Sequence, residues 1–301
     1  MTVSVLYDVP GPKARRRSVM TSIVGTIAIV AGLAWLIATL AGERTTVAGA
    51  TLPGLFDPSR WDIFNDIVVW RSLGEGALNT LAMAGAAAAL ALVVGVLFSF
   101  GRTAASPGIR VPVAVLLEFF RGMPVLLMML FALLVFSTGT YWAGVTALAL
   151  YNGAIIGEAL RAGISALPSG QREAGLSLGL TPVATRFLIE FPQAFRTMLP
   201  IIVAQLVVLL KDTSLAYIVG YSELLRTGQN LTQFFGNRYA FSFFFIVLAM
   251  YLAMNLLLSW VARIISHRTS SRGGALVAAD ASAEQLPEGV GGVDAGEASG
   301  R

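Results

Sequence analysis

The amino-acid sequence predicts an all-α membrane protein with about six transmembrane helices. Hydrophobic residues make up 56% of the 301 and charged residues only 13%, with a mean hydropathy of +0.74. Soluble domains run at about 45–50% apolar and about 25% charged. Crossing a hydrocarbon core of about 30 Å takes roughly 20 apolar residues, and six runs qualify: about 18–41, 77–100, 112–137, 142–165, 197–219 and 241–264. The runs are uniformly apolar, whereas the strands of a membrane β-barrel alternate.

In chain order, residues 1–17 form a short basic arm, and 18–41 the first span. Arg15, Arg16 and Arg17 before an apolar run suggest a signal peptide, but a signal core is about 7–15 residues long. The run here is longer and reads as a retained span. Residues 42–76 form an external segment whose Trp61, Phe64 and Trp70 suit the membrane interface. A core over 77–265 follows. Its first span is rich in alanine and glycine from Gly85 to Ala91, which lets a neighbouring helix approach closely. Residues 266–301 are rich in Gly, Ala, Ser and acids and read as a disordered tail.

Orientation follows from the Lys and Arg distribution, which is biased to the cytoplasmic side. With the N-terminus inside, fourteen of the 21 lie in inside segments, from Lys13 to Arg301. Five lie outside (Arg44, Arg60, Arg71, Arg226 and Arg238). Arg121 and Lys211 fall within or at the edge of spans. Both termini are therefore expected in the cytoplasm. The net charge of +4 reflects these flanking residues rather than a nucleic-acid surface.

Several chemistries are excluded. There is no cysteine, so no disulfide or thiolate metal site forms. The single histidine, His267, lies in a basic tail. No G-x-x-x-x-G-K-[ST] motif occurs, and Lys13 and Lys211 are the only lysines. The chain lacks a phosphate-cradling loop and a convincing enzymatic constellation.

The longest inside connection, 166–196, reads as two short helices. Pro168 ends the fourth span and Ser169 caps the first short helix. Glu173 lies in its first turn. Gly179 stops it in the left-handed conformation. Thr181 caps the second, with Pro182 at its first position. Pro192 and Pro200 break the chain beyond it. Ala174, Gly175 and Gly179 leave a low surface, flanked by Leu176, Leu178 and Leu180, suited to seating in a partner's groove.

Charged residues at spans are functional candidates by default. They are Glu118, Arg121, Glu158, Arg161, Lys211 and Asp212. Glu158 and Arg161 are placed to pair on one helical face. Asn79, Asn152, Gln205, Thr213 and Ser214 are neutral candidates for interhelical hydrogen bonds or for a zwitterion's head group. Arg121 suits a carboxylate, and Lys211 would be the second cation for an acidic solute. The 220–240 loop, with Tyr221, Glu223, Arg226 and Arg238, is external and suits a protein partner or a solvated connector.

Glu173-Ala174-Gly175, Gly179, Phe191-Pro192-Gln193-Ala194-Phe195-Arg196 and Leu199-Pro200 resemble the "EAA" loop of ABC importer permeases, with Gly175 at a position usually alanine. Glu118-Phe119-Phe120-Arg121-Gly122-Met123-Pro124 resembles the "FRGTP" signature of the polar amino-acid (His/Glu/Gln/Arg) permeases, with Met123 for threonine. Glu158 to Ile164, running into Gly170-Gln171-Arg172-Glu173-Ala174, resembles the same subfamily, with Ile155 where an aromatic is common. Lys211-Asp212-Thr213-Ser214-Leu215 matches its "KDTSL" segment. The alanine-rich spans and polar tail resemble those of actinobacterial glutamate permeases.

The resemblance implies a type I importer (MetI-like) fold whose loop is a coupling helix, with Gln171, Glu173, Ala174, Gly175 and Gly179 docking an ATPase. It implies a non-enzymatic subunit with three protein partners: an ATP-binding subunit that carries the ATP and magnesium, a second permease subunit, and an extracytoplasmic substrate-binding protein. The cargo would be a small polar amino acid, glutamate above all. Arg121, Glu158, Lys211, Asp212, Thr213 and Ser214 are the substrate-path candidates. The rival reading is an ion-coupled secondary transporter with a midplane site between broken helices. Such a transporter has no use for the Glu173 loop.

Overall fold

The computed structural model describes residues 11–45, 49 and 51–283, with side chains to 264 other than those of Arg44 and Leu52. Ten α-helices are assigned among the described residues. They are α1 (Pro12–Ala41), α2 (Ile67–Arg102), α3 (Pro107–Gly122), α4 (Val125–Phe136), α5 (Gly139–Ser165), α6 (Ser169–Ser177), α7 (Pro182–Thr185), α8 (Phe191–Asp212), α9 (Leu224–Phe235) and α10 (Ala240–Ala283). The only strands among the described residues are a two-residue antiparallel pair, Arg44–Thr45 with Thr51–Leu52.

Among the described residues, five helical stretches are long and apolar enough to cross a membrane: Pro12–Ala41, Ile67–Arg102, Gly139–Ser165, Pro182–Tyr217 and Asn237–Ile264. The pair α3 and α4 passes the same test only taken together, as a broken span or a re-entrant loop. α3 and α4 meet at a bend of 104° where the sequence predicts one run over 112–137. The cause is local. Met123 precedes a proline and is held extended, at φ −87° and ψ 131°. Pro124 then starts α4 at φ −59°.

Three other boundaries differ from expectation. α2 starts at Ile67 rather than near 77, because Asp66 caps it by accepting from the Val68 N–H at 2.8 Å. Pro192 and Pro200 do not break the fifth span. Pro192 lies in the first turn of α8, and Arg186–Glu190 widen to a π-type turn in which the Phe191 N–H reaches the Arg186 carbonyl. That register absorbs the donor Pro192 lacks, and helices in lipid tolerate interior prolines such as Pro200. Finally, residues 266–283 continue α10 where the sequence predicts a disordered tail. Ala275, Ala278, Ala279, Ala281 and Ala283 are strong helix formers. The rest of that tail and the first ten residues of the basic arm lie outside the described residues.

The chain divides into two compact units, one within Met1–Glu75 and Thr227–Leu248 and the other within Gly76–Arg226 and Ala249–Arg301. In the first, α1 buries none of its residues in the protein, as befits a helix apolar on every side. Phe64 packs against Trp61, Trp70 and Phe243 at centroid distances of 5.7, 5.8 and 5.4 Å.

The second unit holds the main core. Met83, Ala87, Ala91, Met129, Leu148, Ile156, Leu160, Ile202 and Leu209 are buried together. α2 and α5 approach along a glycine seam. A Cβ on Gly157 would lie 2.7 Å from the Phe98 Cβ and 2.9 Å from the Gly95 carbonyl oxygen, and one on Gly153 2.7 Å from Val94. Close approach of α2 is thus achieved through Ala87, Ala91 and Gly95. Gly85 faces open space.

Candidate coupling and transport sites

The two short helices α6 and α7 form a hairpin between α5 and α8. Its turn is a Schellman motif. Gly179 sits at φ +80°, its N–H bonds the Leu176 carbonyl at 2.9 Å, and the Leu180 N–H bonds the Gly175 carbonyl at 3.2 Å. Thr181 then caps α7, its hydroxyl accepting from the Ala184 N–H at 3.2 Å. The N-terminus of α6 departs from expectation. Pro168 occupies the cap position, Ser169 is the first helical residue and makes no capping bond, and Glu173 lies in the second turn.

Gly175 points inward, which corrects its expected place on a docking surface. It is the buried residue of α6, and a Cβ there would lie 2.6 Å from Thr185 Cγ2 and 2.9 Å from Ile189 Cδ1. Gly175 is what lets α7 fold back onto α6. Gln171 is also engaged internally, its side-chain oxygen accepting from Gln193 Nε2 at 3.2 Å. The outward face carries Glu173, Ala174, Leu176 and Leu178, the last 80% exposed.

The hairpin base is braced against the end of α2. The Phe187 ring stacks on Phe100 at 3.9 Å and 12°, and Phe191 lies 5.2 Å from the same ring. An Arg186 Nη1–H donates to the Thr103 carbonyl. Arg186 Nε lies 3.5 Å from the buried Glu190 carboxylate.

The membrane candidates fall into separate groups. Glu158 pairs with Arg161 at 2.7 Å, as their spacing predicts, and also faces Arg102 at 3.7 Å. This carboxylate is flanked by two guanidiniums and ties α2 to α5. Arg121 reaches Glu118 at 3.4 Å on the exposed side of α3. Lys211 is exposed and Asp212 half-buried at the C-terminal end of α8. Thr213 is buried, its hydroxyl donating to the Leu210 carbonyl at 2.7 Å, and Ser214 is half-buried. Among the described residues no hydrogen bond or ion pair links Arg121 or Glu158 to the 211–214 group. Gln205 donates to Asn152 Oδ1 at 2.8 Å, joining α8 to α5.

An apolar cavity of about 570 Å³ opens among α3, α4 and α5, lined by Phe119, Phe120, Met123, Met128, Phe131 and Leu150 with the Thr138 and Thr146 side chains. None of the candidate site residues lines it. Among the described residues no cluster of His, Cys, Asp or Glu is placed to hold a metal ion.

Sequence reasoning missed one buried network. Glu223 is fully buried rather than displayed on an external loop. Its carboxylate accepts from the Leu225 and Arg226 N–H groups at 2.8 and 2.7 Å, capping α9, and from the Tyr251 hydroxyl at 2.5 Å. Next to it, the Thr80 hydroxyl accepts from the Leu224 N–H at 3.1 Å, and Asn79 donates to the Ser222 carbonyl at 2.9 Å. Burial pushes the Glu223 carboxyl above its usual range, opposed by the Tyr251 hydroxyl, the two amides and the Arg226 charge. The only sequence signal was an acidic residue just before a helix, which by itself reads as solvated.

Apolar helices long enough to cross a membrane, joined through a capped helical hairpin, define a multi-pass membrane protein. The family described as "Binding-protein-dependent transport system inner membrane component" matches residues 91–271, and the chain belongs to it. It is 35% identical over 224 residues to the "Glutamate transport system permease protein GluD" of Corynebacterium glutamicum, covering 71% of this chain and 81% of that one. It is 35% identical over 202 residues to the "Probable glutamine ABC transporter permease protein GlnP" of Bacillus subtilis, covering 65% and 93%. Among solved structures, "Crystal structure of an amino acid ABC transporter with histidines" superposes with a TM-score of 0.61 at 26% identity, over 69% of this chain and 98% of that one. An inward-facing MetNI methionine ABC transporter superposes at 0.58 with 18% identity over 68% and 99%, a likeness of fold alone. Family membership sets aside the ion-coupled secondary transporter.

Proposed function

We propose that this chain is the permease subunit of an ATP-driven importer of glutamate or a closely related polar amino acid, with α6 as the helix that docks a separate ATPase. The carrying observation is the hairpin. Its glycine faces inward and locks α6 to α7, while Glu173, Ala174, Leu176 and Leu178 are left outward on a rigid, capped support. A short helix held this way fits a partner's groove. The names of the two curated relatives support the cargo class.

In this reading both termini and the hairpin face the cytoplasm. ATP and magnesium reside on the ATPase, a second permease subunit completes the translocation path, and an extracytoplasmic binding protein delivers the amino acid. Gln171, Gly175 and Gly179 shape the docking element, and Glu173 and Ala174 touch the partner. Along the path, Arg121 and Lys211 are the cations for the cargo's carboxylates, with Asp212, Thr213 and Ser214 beside Lys211. Glu158 serves the path indirectly, because Arg161 and Arg102 already engage it.

Co-purification of the ATPase with wild type and with Glu173→Arg tests the docking face. Loss of the ATPase from the variant is expected, and an unchanged complex would refute this role for α6. Uptake of labelled glutamate by Arg121→Gln and Lys211→Gln tests the path. Unchanged KM and rate in both would remove these residues from it.

A further inference from the structure

The α6–α7 hairpin is covalently joined to α5 and α8, so those helices are the obvious receivers of any force applied to α6. The structure adds a third connection. Phe187, two residues past α7, stacks on Phe100 in the last turn of α2 at 3.9 Å and 12°. Arg186 donates to the carbonyl of Thr103, just past the end of α2. A helix C-terminus leaves its last carbonyls without intrahelical donors and favours a nearby cation. Arg186, a side chain of the hairpin, therefore caps α2. The Glu190 carboxylate, only 10% exposed, lies 3.5 Å from Arg186 Nε and holds that guanidinium in place.

The corner beyond is stiff as well. A Cβ on Gly101 would lie 2.9 Å from Val113, so α2 and α3 are in close contact there. Arg102 faces Glu158 at 3.7 Å, bracing the same corner to α5. From this corner α3 runs sixteen residues, Pro107–Gly122, or about 24 Å at 1.5 Å per residue. It ends at the 104° bend beside Arg121.

We infer that the hairpin and the α2–α3 corner move as one rigid body, with Arg186 and Phe187 as the positioning residues that carry ATPase motion along α3 to the bend next to Arg121. This rests on α6 being the ATPase-docking helix. Packed elements shift between discrete arrangements rather than deforming continuously, so motion of α6 must carry α3 with it while the brace is intact. If the brace is cut, the ATPase still docks and turns over but α3 lags.

The natural absence of cysteine makes the test direct. Permease carrying Phe100→Cys and Phe187→Cys is assembled with its ATPase and binding protein in proteoliposomes. ATPase co-purification, ATP hydrolysis and amino-acid import are read on the same preparation. In the reduced state, assembly and hydrolysis are retained while import per ATP falls by about fivefold or more. Bridging the pair with a reducible bifunctional thiol reagent restores import to within about twofold of wild type. Phe187→Tyr, which keeps the stack, stays coupled, and Phe187→Ala and Arg186→Gln do not.

Import that stops on bridging and returns on reduction would show that hairpin and corner part during the cycle, and would overturn the inference. So would reduced double-cysteine permease that imports like wild type. Loss of the ATPase from Phe187→Ala would place that ring on the docking surface and overturn it equally. Glu173→Arg runs in parallel. If it keeps its ATPase, the docking role of α6 fails, whatever the Phe100–Phe187 pair shows.

Discussion

At single residues, the α6–α7 hairpin depends on Gly175 and the start of α9 on Glu223. Gly175 stands where the related loops usually carry alanine, and the structure supplies the reason: Thr185 Cγ2 lies 2.6 Å from where a Cβ would be. Gly175→Ala gains about 1 kcal/mol of helix propensity but overpacks the hairpin by about 1–3 kcal/mol. The expected outcome is faster proteolysis of the 166–196 loop in purified protein. Thr185→Ser removes the nearest crowding methyl, leaving the flexible end of Ile189 at 2.9 Å, and is expected to restore part of the resistance.

Glu223 is the second such residue. Removing its carboxylate by Glu223→Ala leaves the α9 amides uncapped and the Tyr251 hydroxyl without its carboxylate acceptor, a loss of about 1–3 kcal/mol readable as a lower Tm in detergent. The pH dependence has a definite sign. Burial raises this carboxyl in the folded state, so the folded protein binds more protons than the unfolded chain above the ordinary carboxylate pKa of about 4.3. Its contribution is fullest below that pH and declines as pH rises through the raised folded value. Wild type is expected to lose Tm over that interval, and Glu223→Gln to lose less. Equal slopes would show that Glu223 does not titrate there.

At the scale of elements, the helices follow from the apolar runs, and their contacts follow from small residues and breaks. Gly153 and Gly157 bring α5 onto α2, with the nearest atoms including backbone oxygens that cannot yield. Gly157→Val is expected to cost at least the 1–3 kcal/mol typical of overpacking. It should appear as reduced yield and a lower Tm, whereas Gly85→Val, facing open space, should leave both unchanged. The α3–α4 break was legible in Gly122-Met123-Pro124, since a residue before proline is pushed out of the helical region. Hydropathy hides such breaks because a window average counts composition and ignores backbone geometry. The α6 hairpin was legible in part. Its turn chemistry at Gly179 and Thr181 was readable because caps are local. Which face of α6 points outward was not, since that depends on Thr185 and Ile189 arriving from α7 and the turn beyond.

For the whole molecule, the charge distribution predicts the hairpin on the cytoplasmic side and the α9 end outside. Single cysteines on the cysteine-free chain check this. Ser177→Cys is expected to react with a membrane-impermeant maleimide only after the membrane is opened, and Phe234→Cys in intact cells. The reverse pattern would invert the topology and with it the docking role of α6.

The membrane class, the apolar spans, the lack of cysteine and of a phosphate loop, and the resemblance that family membership then bore out are all read along the chain. These depend on composition, run length and local motifs, each readable within a few neighbouring residues. Packing alone sets the inward face of Gly175, the approach of Arg102 to Glu158, the burial of Glu223 against Tyr251, and the brace from Arg186 and Phe187 to α2. Each of these joins separate elements, and a contact of that kind is set by how the helices pack against one another.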